Sequence, residues 1–326
     1  MLENTENLTA DEIRYLESKK GKILNPRMDG TFKAMFTQPT AESRKALHSF
    51  LEAVLVRKID AVKFEPNDAV QQFASQRDVD YDINVRFSTG ESAEIEMQAW
   101  RQNYDYGKRA EYQAARLLST YLNDGDSWDK VQKVYQISIL DYNYYTKQLF
   151  DEVGNRIVEK RNSKKSVVNY YTMKNQDGER LSSTLNIVFI ELTRLEKDYS
   201  DDMLEKLSAA EKWALFLKNA DNNNDSEIVK KLTKTEEGIM DAQTVLSSIS
   251  SDRALWLQQY HAEVRERDRI SNLEGAKNEG FELGIKEGIK EGIKEGMKSV
   301  LSYLQEGHSL EEALAKFGNA DSESAR

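Results

Sequence analysis

The chain has 326 residues, of which 39% are hydrophobic and 31% charged, with a formal net charge of −10, three histidines and no cysteine. Zero cysteines exclude disulfides, thiolate zinc sites, iron–sulfur clusters and cysteine nucleophiles, which leaves carboxylates or lysine for any catalysis. The acid excess excludes a general basic coat, so a DNA contact needs a local patch of Lys and Arg.

No stretch approaches the roughly 20 apolar residues that span a bilayer, and MLENTENLTADEIRYLESKK lacks the basic start and apolar core of a signal peptide. A soluble, cytoplasmic protein is expected. Residues 1–22 read as a polar arm. ILNPRMDGTFKAMFTQ then predicts a helix with Phe32, Met35 and Phe36 on one face, and AESRKALHSFLEAVLVRKI a second with the stripe Leu47, Phe50, Leu51, Val54 and Leu55.

DVDYDINVRFSTGESAEIEMQ, residues 78–98, alternates with period two. Val79, Tyr81, Ile83 and Val85 fall on one face, with Asp78, Asp80, Asp82 and Asn84 on the other. After the turn Ser88-Thr89-Gly90-Glu91, Ile95 and Met97 alternate with Glu94, Glu96 and Gln98, which predicts a hairpin. NYDYGKRAEYQAARLLSTYLNDG predicts a helix facing inward through Tyr112, Ala115, Leu118 and Leu122, with Gly125 as its stop. VQKVYQISILDYNYY predicts a buried strand, and KSVVNYYTM and STLNIVFIEL two more. Strand, strand, helix, strand is an α/β order, so a mixed sheet with helices packed on it is expected.

The acidic run from Glu196-Lys197-Asp198 to Asp201-Asp202 reads as a solvated loop, and 201–274 as helical, with Trp213 and Trp256 as core anchors. His48, His261 and His308 lie far apart and receive no role. In the tail, 275–326, glycine recurs at 280, 284, 288, 292 and 296. This is either a helix with a small-residue seam for another helix, and so a route to a homo-oligomer, or a flexible linker. Ser309-Leu310-Glu311-Glu312 has capping-box form before a short helix that Gly318 would stop.

If the hairpin is symmetric about Thr89, Asp82 faces Glu96, Asp80 faces Gln98 and Asn84 faces Glu94. Opposed like charges with Cβ atoms about 4.5–5.5 Å apart are destabilising, so a positive group is expected between them. A hard divalent ion fits, because Mg²⁺ takes oxygen ligands and is held by one or two carboxylates with water and phosphate. The competing reading is a solvent-facing strand whose acids diverge into water.

Asp82, thirteen intervening residues, then Glu96-Met97-Gln98 resembles the D…ExQ core of the PD-(D/E)XK nuclease superfamily, in its branch of recombination-promoting nucleases and transposase-like proteins. The likeness extends to Asp29-Gly30-Thr31-Phe32-Lys33, to Arg109 with Tyr112, to Glu191-Leu192, to Glu211-Lys212-Trp213 and to the Gly-every-fourth tail.

The resemblance implies a restriction-endonuclease-like α/β fold over 23–200, with a mixed central sheet flanked by helices, followed by a mostly helical C-terminal region. It also implies Mg²⁺-dependent hydrolysis of DNA phosphodiesters, with Mn²⁺ as a substitute, in recombination or on mobile DNA. By the same resemblance Asp82 and Glu96 would hold the metal, Gln98 would stand where the superfamily usually has Lys, and Asp29 would be a nearby acid. Lys33, Lys108, Arg109 and Arg116 could supply the positive patch for DNA, against a reading as a solvated helix face. Two other readings stay open: a degenerate relative that binds nucleic acid or a partner without cutting, and an assembly protein that associates through its glycine tail.

Overall fold

A computed structural model describes residues 8–67, 79–122, 125–144, 148–150, 156–158, 166–221 and 226–317. Two compact units divide the chain, residues 1–262 and 263–326. No helix among the described residues is long and apolar enough to cross a membrane.

In the first unit, the polar N-terminal stretch carries a helix, α1 (Ala10–Ser18). Thr9 and Glu12 form a reciprocal capping box in which the backbone N–H of each reaches the other's side chain, at 2.7 and 3.3 Å. Such caps are worth about 1 kcal/mol. Helices α2 (Asp29–Thr37) and α3 (Ala41–Leu55) follow as the apolar spacing predicts, with Phe32, Met35, Phe36, Phe50 and Leu51 fully buried.

The main sheet contains β1 (Val62–Phe64), β2 (Ile83–Phe87), β3 (Ser92–Gln98), β4 (Val134–Leu140), β7 (Val168–Thr172) and β8 (Leu185–Glu191), in the order β1-β2-β3-β4-β8-β7. Strands β3, β4 and β8 run parallel to one another, and the outer pairings are antiparallel. The largely apolar runs of β4 and β8 suit strands covered on both faces, whereas β3 alternates with Glu94, Glu96 and Gln98. A separate two-stranded pairing joins β5 (Gln148–Phe150) to β6 (Arg156–Val158).

One face of the sheet presents Ile83, Val85, Ile95, Met97, Ile137 and Ile139 to the main core. There α2 and α3 meet α6 (Ala209–Asn219), α7 (Glu227–Thr235) and α8 (Glu237–Ile249), with Trp213 packed against Phe36 and Phe50. Trp213 and Trp256 are both buried, as expected of anchors. The other face is covered by α4 (Tyr106–Leu118), the crossover between β3 and β4. The buried residues of α4 are Tyr106, Ala110, Gln113, Ala114, Arg116 and Leu117, not the stripe Tyr112, Ala115, Leu118, Leu122. The inward face is instead Tyr106, Ala110, Ala114 and Leu117, packed on Val134, Leu140, Ile187 and Phe189, with Gln113 turned toward Glu96; this stripe is as apolar as the predicted one, so periodicity alone does not choose between them.

The acidic segment Asp201-Asp202 opens a short helix, α5 (Asp201–Lys206), capped by Ser200, while Glu196, Lys197 and Asp198 are exposed as expected of a solvated loop. Helix α9 runs over Arg253–Gln305, so the described glycine repeat is helical. In the second unit Phe281, Ile285, Ile289, Ile293, Met297 and Leu301 form an exposed row at four-residue spacing. Helix α10 (Leu310–Phe317) follows the turn at Gly307, and Tyr303 stacks on His308 at 3.9 Å and meets Phe317 edge-on at 5.7 Å. The expected capping box is present, with Ser309 N–H reaching Glu312 at 2.8 Å and Glu312 N–H reaching Ser309 Oγ at 3.2 Å. Asp78 and Gly318 lie outside the described residues.

Candidate active site

The β2–β3 hairpin turns through Ser88, Thr89 and Gly90, where Gly90 takes φ +92°, a conformation that costs a side chain but not glycine. Its register pairs Ile83 with Ile95 and Asn84 with Glu94, which is the symmetry about Thr89 read from the sequence. Continued by one pair, it sets Asp82 opposite Glu96. Strand β2 starts only at Ile83, later than the alternation suggests, so Asp82 sits just before it and Asp80 is exposed outside it. Asp82 Oδ2 accepts the Met97 N–H at 2.8 Å, a side chain closing the end of the hairpin ladder.

Glu94 and Glu96 are fully buried, which overturns the solvent-facing reading of this strand face: α4 covers it. Three side chains hold Glu96. Arg109 Nη2 donates to Oε2 at 2.9 Å, Gln98 Nε2 donates to the same oxygen at 3.2 Å, and Gln113 Nε2 donates to Oε1 at 3.0 Å. Arg109 also donates to the Tyr104 hydroxyl at 3.1 Å, and the Tyr106 hydroxyl bonds Ser138 Oγ at 2.9 Å beneath. Asp29, in the first turn of α2, lies near enough for its charge to act on both Asp82 and Glu96.

Burial, then the charges of Glu96 and Asp29, push the Asp82 carboxyl up to about 9. Burial also raises Glu96, against the pull of Arg109, to about 7. Glu94 is raised well above the carboxylate range by burial and by its neighbours Glu96 and Asp82. Gln136 lies close enough to relieve it slightly, yet neither Glu94 oxygen has a hydrogen-bond partner. Four carboxyl groups thus face one guanidinium, and a site in that state favours protons or a cation.

A cleft of about 700 Å³ opens beside this cluster, lined by Asp80, Tyr104, Lys108, Arg109, Tyr112 and Gln113 among others. Lys108 is exposed at the cleft, while Lys33 is half-buried on α2 one turn after Asp29. Arg116 is buried, with a long 3.5 Å contact to the Tyr112 hydroxyl, and does not lie on a solvated helix face. The structure therefore gathers Asp29, Asp82, Glu96, Gln98 and Arg109, and sets Lys33, Lys108 and Arg116 on the helices around them. Gln113 was not singled out in the sequence. Its one signal is position, four residues after Arg109 and so on the same helix face.

A family model for the PD-(D/E)XK nuclease family transposase matches residues 26–276. The chain belongs to that family. Searches of curated proteins and of solved structures found no match. A PD-(D/E)XK nuclease family transposase has a nuclease fold by descent, and here the mixed six-stranded sheet with flanking helices has the restriction-endonuclease-like form. Members of such nuclease families typically use divalent metals. Among the described residues no group of three or more Asp, Glu or His side chains is arranged to hold an ion alone. The donor set at Asp82 and Glu96 is all oxygen, which suits a hard cation that keeps several waters.

Proposed function

We propose that this chain is a Mg²⁺-dependent DNA endonuclease acting in recombination or on mobile DNA. The observation that carries the reading is Asp82, held at the hairpin end by the Met97 N–H next to Glu96, with the Asp29 charge acting on both and a cleft alongside.

Asp82 and Glu96 would hold the ion, with Mn²⁺ as a substitute. When bound, it would polarise the phosphodiester and make an attacking water more acidic. Arg109 and Gln113 fix the Glu96 carboxylate, so its orientation is set before substrate arrives. Gln98 cannot titrate and donates to Glu96, so it would orient a water or phosphate oxygen rather than move a proton. Lys33, Lys108 and Arg109 would meet DNA phosphates, with Arg116 supporting the helix from within.

A second reading, a relative that binds nucleic acid without cutting, is favoured by one contact: Arg109 already occupies the Glu96 oxygen that a metal would need. Supercoiled plasmid separates the two. Nicking by the unmutated protein with Mg²⁺, absent in Asp82→Asn and Glu96→Gln, supports the nuclease. DNA binding without cleavage in Mg²⁺ and in Mn²⁺ supports the second reading.

A further inference from the structure

One row further along the same sheet face lies a second polar group. The ladder pairs Asn84 with Glu94 and Glu94 with Gln136, so the three side chains project side by side from β2, β3 and β4. They are 8%, 0% and 0% exposed. Asn84 Oδ1, both oxygens of Glu94 and Gln136 Oε1 have no hydrogen-bond partner, and neither does Oε1 of the buried Gln113 on the helix above.

All five orphans are acceptors. The amide nitrogens are already engaged: Asn84 donates to the Pro66 carbonyl at 2.6 Å, Gln113 to Glu96 at 3.0 Å and Gln136 to Ser138 Oγ. Flipping Asn84 or Gln113 would set oxygen against oxygen, so those two carbonyls cannot be traded for donors, whereas Gln136 bonds a hydroxyl and can turn its carbonyl to an ion or its amide N–H to Glu94. A water brings two hydrogens and a proton on Glu94 one more, which still leaves part of this five-acceptor set unanswered.

We propose that Asn84, Glu94 and Gln136 form an interior site for a divalent cation, distinct from the Asp82–Glu96 pair. One carboxylate with amide carbonyl oxygens is a hard-cation ligand set. Two residues along a strand is about 7 Å, beyond the roughly 3.5–4 Å between ions that share an in-line displacement. The interior ion therefore fastens β3 beneath α4 and does not touch the scissile phosphate.

The test is Mn²⁺ stoichiometry on the full chain, read from the paramagnetic signal of free Mn²⁺. The unmutated protein should bind two ions, and Glu94→Gln and Asp82→Asn one each. Gln136→Met, which keeps length and removes the carbonyl, should weaken one of the two sites about 10-fold. Circular dichroism of each variant checks that it is folded. Unchanged Mn²⁺ binding in folded Glu94→Gln overturns the site, as does a single ion lost only in Asp82→Asn or no ion in any form. A single ion lost only in Glu94→Gln upholds the interior site and counts against metal at Asp82 and Glu96.

Discussion

Arg109 Nη2 lies 2.9 Å from Glu96 Oε2, and the pair joins a side chain about one-third exposed to one that is almost wholly buried. Among the described residues Asp29, Asp82 and Glu94 have no ion-pair partner, so this guanidinium is the direct counter-charge of the cluster.

Replacing Arg109 with Ala should destabilise the metal-free protein by about 2–3 kcal/mol at pH 8, below the ~3–5 of a fully buried pair because Arg109 is partly exposed. The loss should shrink near pH 6, where Glu96 can take a proton instead. Urea unfolding at both pH values measures it. In a Glu96→Gln background the Arg109→Ala effect should largely vanish, and a full-sized effect there would show that Arg109 acts through something other than Glu96.

The raised carboxyls set a pH slope. Asp82 has its folded value near 9 and an unfolded value near 4, so between these limits the folded state binds more protons than the unfolded one. Without metal, stability should therefore fall as pH rises from about 4 to about 9. Melting temperatures in chelator across that range should show the decline, and Asp82→Asn should flatten it. Added Mg²⁺ should raise the melting temperature more at high pH, where it replaces a lost proton.

Gln113 donates to Glu96 Oε1 from α4. Gln113→Leu keeps the volume and leaves that oxygen without its donor, which should weaken Mn²⁺ binding or nicking by about 10–100-fold while circular dichroism stays unchanged. A variant as active as the unmutated chain would show that Glu96 needs no support from α4.

The exposed apolar row of α9 should bring two copies of the chain together. Each repeat places Lys and Glu beside an apolar residue, a pattern complementary to its own antiparallel copy, although four-residue spacing overshoots 3.6 and winds the row around the helix. Light scattering should give a mass above 37.5 kDa for the whole chain, falling to the monomer after Ile289→Glu with Ile293→Glu. A monomeric mass for the unmutated chain would remove the idea.

Much of this was legible in the sequence. The Thr89 symmetry set Asp82 against Glu96, and VYQISIL and LNIVFIE read as strands, the first as buried, although their central and parallel placement came only with the fold. Alternation, however, reports which residues share a face and is silent on whether another layer covers that face. Spacing alone therefore left Glu94 and Glu96 readable as a solvated face as well as a cation-holding one, and the cover of α4 is what excludes the solvated reading. The same gap hid Gln113 and the burial of Arg116, polar residues that helical periodicity assigns to solvent. Helix α1 was obscured because its core contacts, Tyr15 and Leu16, are sparse in a polar stretch.

Strand β3 pairs with β2 across one tight turn but with β4 only after the chain has crossed over through α4. The first closure is local and fast, and the second must overcome the entropy of a long loop. Asp82 and Glu96 thus meet early, while water still screens them, and lose that water only when α4 and β4 dock. The repulsion between them acts late, as a toll on the docking step. A proton or a divalent ion taken up there would quicken the final sealing of the sheet and leave the hairpin's own formation untouched.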